Sequence, residues 1–126
     1  MISDQVLEDM SSLLSKEERA KIFNELCLRL QELGYKSVAR LTEQISLATG
    51  IERTHVYPYL RGERVPNPKT TAKVIKALIK SGDIQFVVRC LEPVARRMQR
   101  DCKAFFQWRS ELKLLGILYS PLDESM

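Results

Sequence analysis

The sequence predicts an all-α fold, on three observations. Apolar residues recur at i, i+3 and i+4 through most of the 126 residues, the period of a helix with one buried face. Helix-start signals stand just ahead of those segments: Ser15 with Glu18, Ser37, and Asn67-Pro68. Glycines at 34, 50 and 82 fall where the pattern stops, and no run alternates as a half-buried strand would. There is no internal repeat and no low-complexity tract.

In residues 3–14, Val6, Leu7, Met10, Leu13 and Leu14 lie at helical spacing, consistent with a short helix or with an arm that packs on a partner. Ser15-Lys16-Glu17-Glu18 has the form of a capping box, in which the serine hydroxyl and the glutamate three residues on satisfy two free amides reciprocally. The helix it opens is expected from Lys16 to Leu33, with Phe23, Leu26, Leu30 and Leu33 on one stripe and Gly34 as its stop. Ser37 is the expected cap of a helix from Val38 to Thr49, whose inner face is Val38, Leu41, Ile45 and Ala48. Gly50 ends it by taking the left-handed position of a tight turn, and Ile51 is placed to plug the corner.

A short helix is expected from Arg53 to about Arg61, with Glu52 as the acceptor at its start and Val56, Tyr59 and Leu60 as its apolar side. Pro58 should distort or shorten it, since proline lacks an N–H and crowds the carbonyl of Thr54, but a helix of barely two turns tolerates it because few amides lie past the first turn. Asn67-Pro68 opens a further helix with the stripe Ala72, Ile75, Leu78 and Ile79. Asp83 precedes a segment carrying Ile84, Val87, Val88 and Leu91, and Glu92-Pro93 is expected to break or kink it. From Val94 onward Met98, Phe105, Trp108, Leu112 and Leu115 form a seam of heptad type with one miss, at Asp101. The tail from Gly116 is expected to be irregular.

Charge is unevenly placed. The formal net charge is +4 with 44% hydrophobic residues, enough for a core without disulfides. Residues 1–20 carry Lys16 and Arg19 against Asp4, Glu8, Asp9, Glu17 and Glu18. Residues 51–82 carry Arg53, Arg61, Arg64, Lys69, Lys73, Lys76 and Lys80 against Glu52 and Glu63. A basic block on a defined stretch points to an anionic partner, although the lysines from 69 to 80 read equally well as the solvated face of an ordinary helix. The three cysteines, at 27, 90 and 102, form no CxxC pair and fit small buried hydrophobes in a reducing compartment. The start has no basic n-region or long apolar run, and no stretch approaches the roughly 18 apolar residues of a membrane span. A soluble cytoplasmic protein is expected.

The set Ile45-Ser46, Gly50-Ile51, Val56 and Tyr59, then Arg61-Gly62, the Pro66 turn, Ile75 and Leu78 resembles the lambda-repressor/Cro-type (XRE) helix-turn-helix family. The resemblance covers about 35 residues strongly and about 65 with the preceding helix. It implies a helix-turn-helix domain over residues 15–82, which the apolar pattern flanks with an N-terminal arm or short helix over 1–14 and a C-terminal helical extension over 83–126. It also implies binding to double-stranded DNA, as a dimeric transcriptional regulator and repressor, with the second helix of the motif in the major groove. The family's base readers fall on Arg53 and Thr54, with His55 and Tyr57 as neighbours. Arg61, Arg64 and Lys69 fall on phosphate contacts, and the family's contact from the preceding helix falls on Ser37 or on Thr42. Two departures stand out: the connection between Gly34 and Ile45 is longer than usual, and Pro58 occupies a reading position where it offers only apolar contact. Tyr57 is placed to lie along the backbone of a duplex or to pack on Tyr59.

Two such helices must reach successive grooves, so the seam of Val94, Met98, Phe105, Trp108, Leu112 and Leu115 is the expected dimerisation element; packing within the chain is the alternative. A single histidine, His55, with no ligand cluster beside it, gives no zinc site, and without a nucleophile pair, a glycine-rich loop or paired acids no enzyme or cofactor is expected. The competing reading is an antitoxin-like or adaptor module whose C-terminal helices bind another protein. Single-strand or non-specific nucleic-acid binding is disfavoured, because Phe105, Phe106 and Trp108 lie on a helical pattern rather than a strand platform.

Overall fold

The computed structural model describes residues 4–98, and among them every regular element is helical. The order is α1 (Asp4–Ser11), α2 (Lys16–Glu32), α3 (Val38–Thr49), α4 (Arg53–Leu60), α5 (Pro68–Lys80) and α6 (Ile84–Met98). None of these helices is long and apolar enough to cross a membrane.

The starts follow from capping chemistry. Ser15 Oγ accepts from the Glu18 amide at 3.1 Å while Glu18 Oε1 accepts from the Ser15 amide at 2.8 Å, so the expected box is complete. Ser37 Oγ accepts from the Arg40 amide and Asn67 Oδ1 from the Thr70 amide, with Pro68 at the first helical position. Glu52 stands at the head of α4, but its side chain makes no capping hydrogen bond. Its backbone carbonyl takes the His55 and Val56 amides instead.

Helix α5 is the centre of the bundle and packs against α1, α2, α3 and α6. It buries Thr71, Ala72, Val74, Ile75, Ala77 and Leu78, positions that cover well over half of its circumference. Helix α1 is no free arm: Val6, Leu7, Met10 and the following Leu14 are buried, chiefly against α5. Helix α6 adds Val87, Val88, Leu91 and Val94, so one cluster of buried side chains spans the expected N-terminal, central and C-terminal segments.

Some expected positions move. Leu33, Val38 and Ala48 lie on the inner stripes of the sequence reading, yet all three are exposed, Leu33 by 73%. They sit at helix ends, where the stripe continues past the neighbour it packs on. Leu41, Ile45 and Ile51 are buried as the pattern requires. The expected break at Glu92-Pro93 does not occur, since α6 runs through Pro93. The buried residues Leu91 and Val94 on either side hold the helix in place across the missing amide.

Val94 itself is fully buried in the chain's own core, which removes it from the expected dimerisation seam. Met98 ends α6. Phe105, Trp108, Leu112 and Leu115, with Asp101, Cys102, Phe106 and the tail from Gly116, lie outside the described residues. Cys27 and Cys90 are unpaired and half-buried beside the core; burial pushes the Cys27 thiol up to about 11. Burial also raises the Cys90 thiol, against the opposing charges of Lys21 and Arg89.

Candidate nucleic-acid interface

The corner between α3 and α4 is fixed by few atoms. Thr49 Oγ1 donates to the Ile45 carbonyl at 2.6 Å and accepts from the Ile51 amide at 3.2 Å. Gly50, at φ 77°, takes the left-handed residue between them and donates to the Ser46 carbonyl. A side chain is rarely tolerated there, because a Cβ clashes with the backbone at that φ. Ile51 then drops into the core, 6% exposed. Thr49 enters the sequence expectations only as the last residue of its helix, although a threonine two residues before an apolar corner is a readable signal for such a double bond.

Helix α4 rests mainly on α3. Val56 is its one fully buried residue; Tyr59 and Leu60 are half-buried against the core. The Tyr59 ring meets Phe23 of α2 edge-on, with centroids 5.6 Å apart and planes at 64°. Pro58 is half-buried and leaves the helix intact, because α4 is only eight residues long and few of its amides lie beyond the first turn. The Pro58 carbonyl accepts from the Glu63 amide at 3.0 Å and the Gly62 amide reaches the Tyr59 carbonyl, closing the helix with Gly62 at φ 73°.

With the inner face so occupied, Arg53, Thr54, His55 and Tyr57 are all exposed. Arg53, Thr54 and His55 make no side-chain hydrogen bond or ion pair with the described residues. Tyr57, 43% exposed, does not pack on Tyr59; the Arg61 guanidinium lies over its ring, 5.0 Å from the centroid. Arg61 also meets Glu63 at 3.4 Å, with both side chains more than half exposed. A pair this open to solvent is worth little and exchanges readily for another anion.

The loop from Gly62 to Asn67 is anchored by Arg19, which no local sequence signal marks. Arg19 of α2 donates from Nε to the Pro66 carbonyl at 2.8 Å and from Nη1 to the Leu14 carbonyl at 2.9 Å. Arg64 is exposed on this loop, and Lys69 is exposed in the first turn of α5. Of the two candidates on α3, Ser37 lies at the surface. Thr42 is buried, and its hydroxyl donates to the Val38 carbonyl at 2.7 Å, so the Thr42 alternative for an anion contact is lost. Exposed cationic and polar side chains thus follow one another along α4, the anchored loop and the start of α5, on a support held by Thr49, Ile51, Val56 and Arg19. No protein-family model, curated protein or solved structure matches the chain.

Proposed function

We propose that this chain is a sequence-specific regulator of transcription that binds double-stranded DNA through a helix-turn-helix formed by α3 and α4, acting as a dimeric repressor. The observation that carries the reading is the division of α4: Val56 is fully buried while Arg53, Thr54, His55 and Tyr57 face outward together. A helix reads a groove when one side is fixed and the other offers unengaged donors and acceptors at its N-terminal end. Arg53 pairs with guanine O6 and N7, contributing about 1–3 kcal/mol of discrimination. Arg61, Arg64, Lys69 and Ser37 hold phosphates, which set register and affinity without reading sequence. Thr54 and His55 reach base edges beside Arg53, and the Tyr57 ring lies against the sugar-phosphate backbone. Self-association is assigned to residues beyond Val94 in the C-terminal extension.

The test is selection from a random duplex library, followed by binding of the enriched and a scrambled sequence across a salt series. An inverted repeat with half-sites about one helical turn apart supports the dimeric groove reader. Weak binding with no enriched motif and a steep salt slope means that the basic block acts only electrostatically. The adaptor reading, in which the C-terminal extension binds another protein, then takes its place.

A further inference from the structure

The lysines of α5 do not end at Lys69. Lys69, Lys73, Lys76 and Lys80 succeed one another at four, three and four residues, so they share one side of the helix over roughly 16 Å. They form one wall of a cleft of about 420 Å³, within the size range of small-molecule sites. Asp4 and Glu8, one turn apart on α1, form the facing wall. Small residues create the space: Ala72 and Ala77 from α5, with Ala48 and Gly50 from the α3–α4 corner. A side chain built on Gly50 would have no neighbour within 4 Å, so the cleft is open at that corner.

The cleft is electrically lopsided. Asp4 Oδ1 holds Lys76 Nζ at 2.8 Å, and Lys76 and, more weakly, Lys80 hold the Asp4 carboxyl below its ordinary range. Lys69 and Lys73 make no such pair with the described residues, and Lys69 lies in the first turn of α5, where the helix dipole is also positive. One end therefore calls for an anion, while Glu8 offers a carboxylate acceptor on the opposite wall. A DNA backbone suits the row beyond Lys69 poorly, because a continuous polyanion laid along Lys73, Lys76 and Lys80 would be brought against Asp4 and Glu8. A small molecule that carries both a phosphate for the lysines and N–H donors for the carboxylate matches the charge of the two walls.

We propose that the cleft between α1 and α5 binds a nucleoside monophosphate, with Lys69 and Lys73 on the phosphate and Glu8 accepting from the base. The proposal does not rest on the DNA-binding reading. Guanosine monophosphate is the probe, because guanine presents two parallel N–H donors to a carboxylate. The full-length chain, labelled with ¹⁵N, is titrated at constant ionic strength with guanosine monophosphate, guanosine and inorganic phosphate.

The expected result is a saturable shift of the Gly50, Lys73 and Glu8 amides with the nucleotide, at an affinity about tenfold or more above either half alone. Lys73→Gln should weaken the nucleotide about tenfold. Glu8→Gln should abolish its preference over inorganic phosphate. The proposal is overturned by no localised shifts, by inorganic phosphate binding as well as the nucleotide, or by affinity unchanged in a folded Lys73→Gln variant. Shifts of Lys73 and Lys80 produced by duplex DNA but not by the nucleotide also overturn it, and give the cleft to DNA instead. Lys69 is shared with the proposed duplex contacts, so the variants are placed at Lys73 and Glu8, which have no part in that set, and failure here leaves the duplex selection experiment unaffected.

Discussion

Helices α4 and α5 divide the work of the bundle unequally. Helix α5 buries six side chains and touches four other helices, whereas α4 buries only Val56 fully and leans mainly on α3. Their caps differ in the same sense: Asn67 caps α5 through its side chain, and Glu52 leaves α4 without such a bond. A helix that must hold a fold together spends its circumference on neighbours. A helix that must present a surface keeps only enough burial to fix its orientation. In the proposed role, stability and recognition would sit on different elements, and substitutions should separate them.

The largest effect is expected in α5. Leu78→Ala removes a fully buried side chain at the point where the helices meet, and should destabilise the fold by about 2–5 kcal/mol in urea unfolding. A loss below 1 kcal/mol would break the contrast, since α5 would then not be the centre. Next comes Arg53→Ala on α4. It should leave the unfolding midpoint unchanged and cost about 1–3 kcal/mol of discrimination between the enriched and scrambled duplexes. A fall in stability instead would make Arg53 a structural residue. Asn67→Ala should destabilise by about 1 kcal/mol through the lost cap, whereas Glu52→Ala, which removes no capping bond, should stay near zero. The smallest effect falls on the loop between them. Arg64→Ala should weaken binding to all duplexes about equally and reduce the salt slope by about one unit.

The junction of α2 with the α5–α6 turn gives a pH-dependent check. Arg29 Nε lies 3.2 Å from Asp83 Oδ2, an ion pair without hydrogen-bond alignment. The Glu25 carboxyl is raised above its ordinary value of 4.5 by hydrogen bonding to Asp83, by burial and by the Asp83 charge, against the opposing charge of Arg29. Raised in the folded state, Glu25 binds its proton more tightly there than in the unfolded chain. Its contribution is complete below pH 4.5 and is lost as pH rises through the folded value. Glu25→Gln should therefore melt higher than the parent at pH 7, with the gap closing as pH falls below 4.5. A gap independent of pH would show that Glu25 does not titrate against Asp83.

Helix ends were legible in the sequence wherever a side chain caps its own backbone. Ser15 with Glu18, Ser37 and Asn67-Pro68 gave starts that the structure keeps, because capping is decided within four residues. Burial near the ends was less legible. Leu33 and Val38 fit an apolar stripe, but a period gives a direction and cannot say where the facing helix stops. The run of α6 through Pro93 was hidden for a related reason. Proline has a local cost, which the packing of Leu91 and Val94 offsets from outside the local sequence. In the candidate interface, the exposed face of α4 could be read from the spacing of Val56, Tyr59 and Leu60. Arg19 could not, because its partner at Pro66 lies 47 residues away. The burial of Thr42 depends on neighbouring helices in the same way.

The Arg19 bridge bears on how fast the protein can engage an anionic surface. Its two hydrogen bonds tie the loop carrying Arg64 to the α1–α2 connection at Leu14 and to the body of α2 before anything is bound. A basic loop that must order itself on contact adds a conformational step, and many encounters end before that step is complete. Here that step is already taken, so the approach of a duplex in the proposed role would be limited by diffusion and orientation, with ionic strength as the main control on the association rate. Cutting the bridge with Arg19→Met should then act as a kinetic lesion, slowing capture while leaving the groups that touch the surface in place.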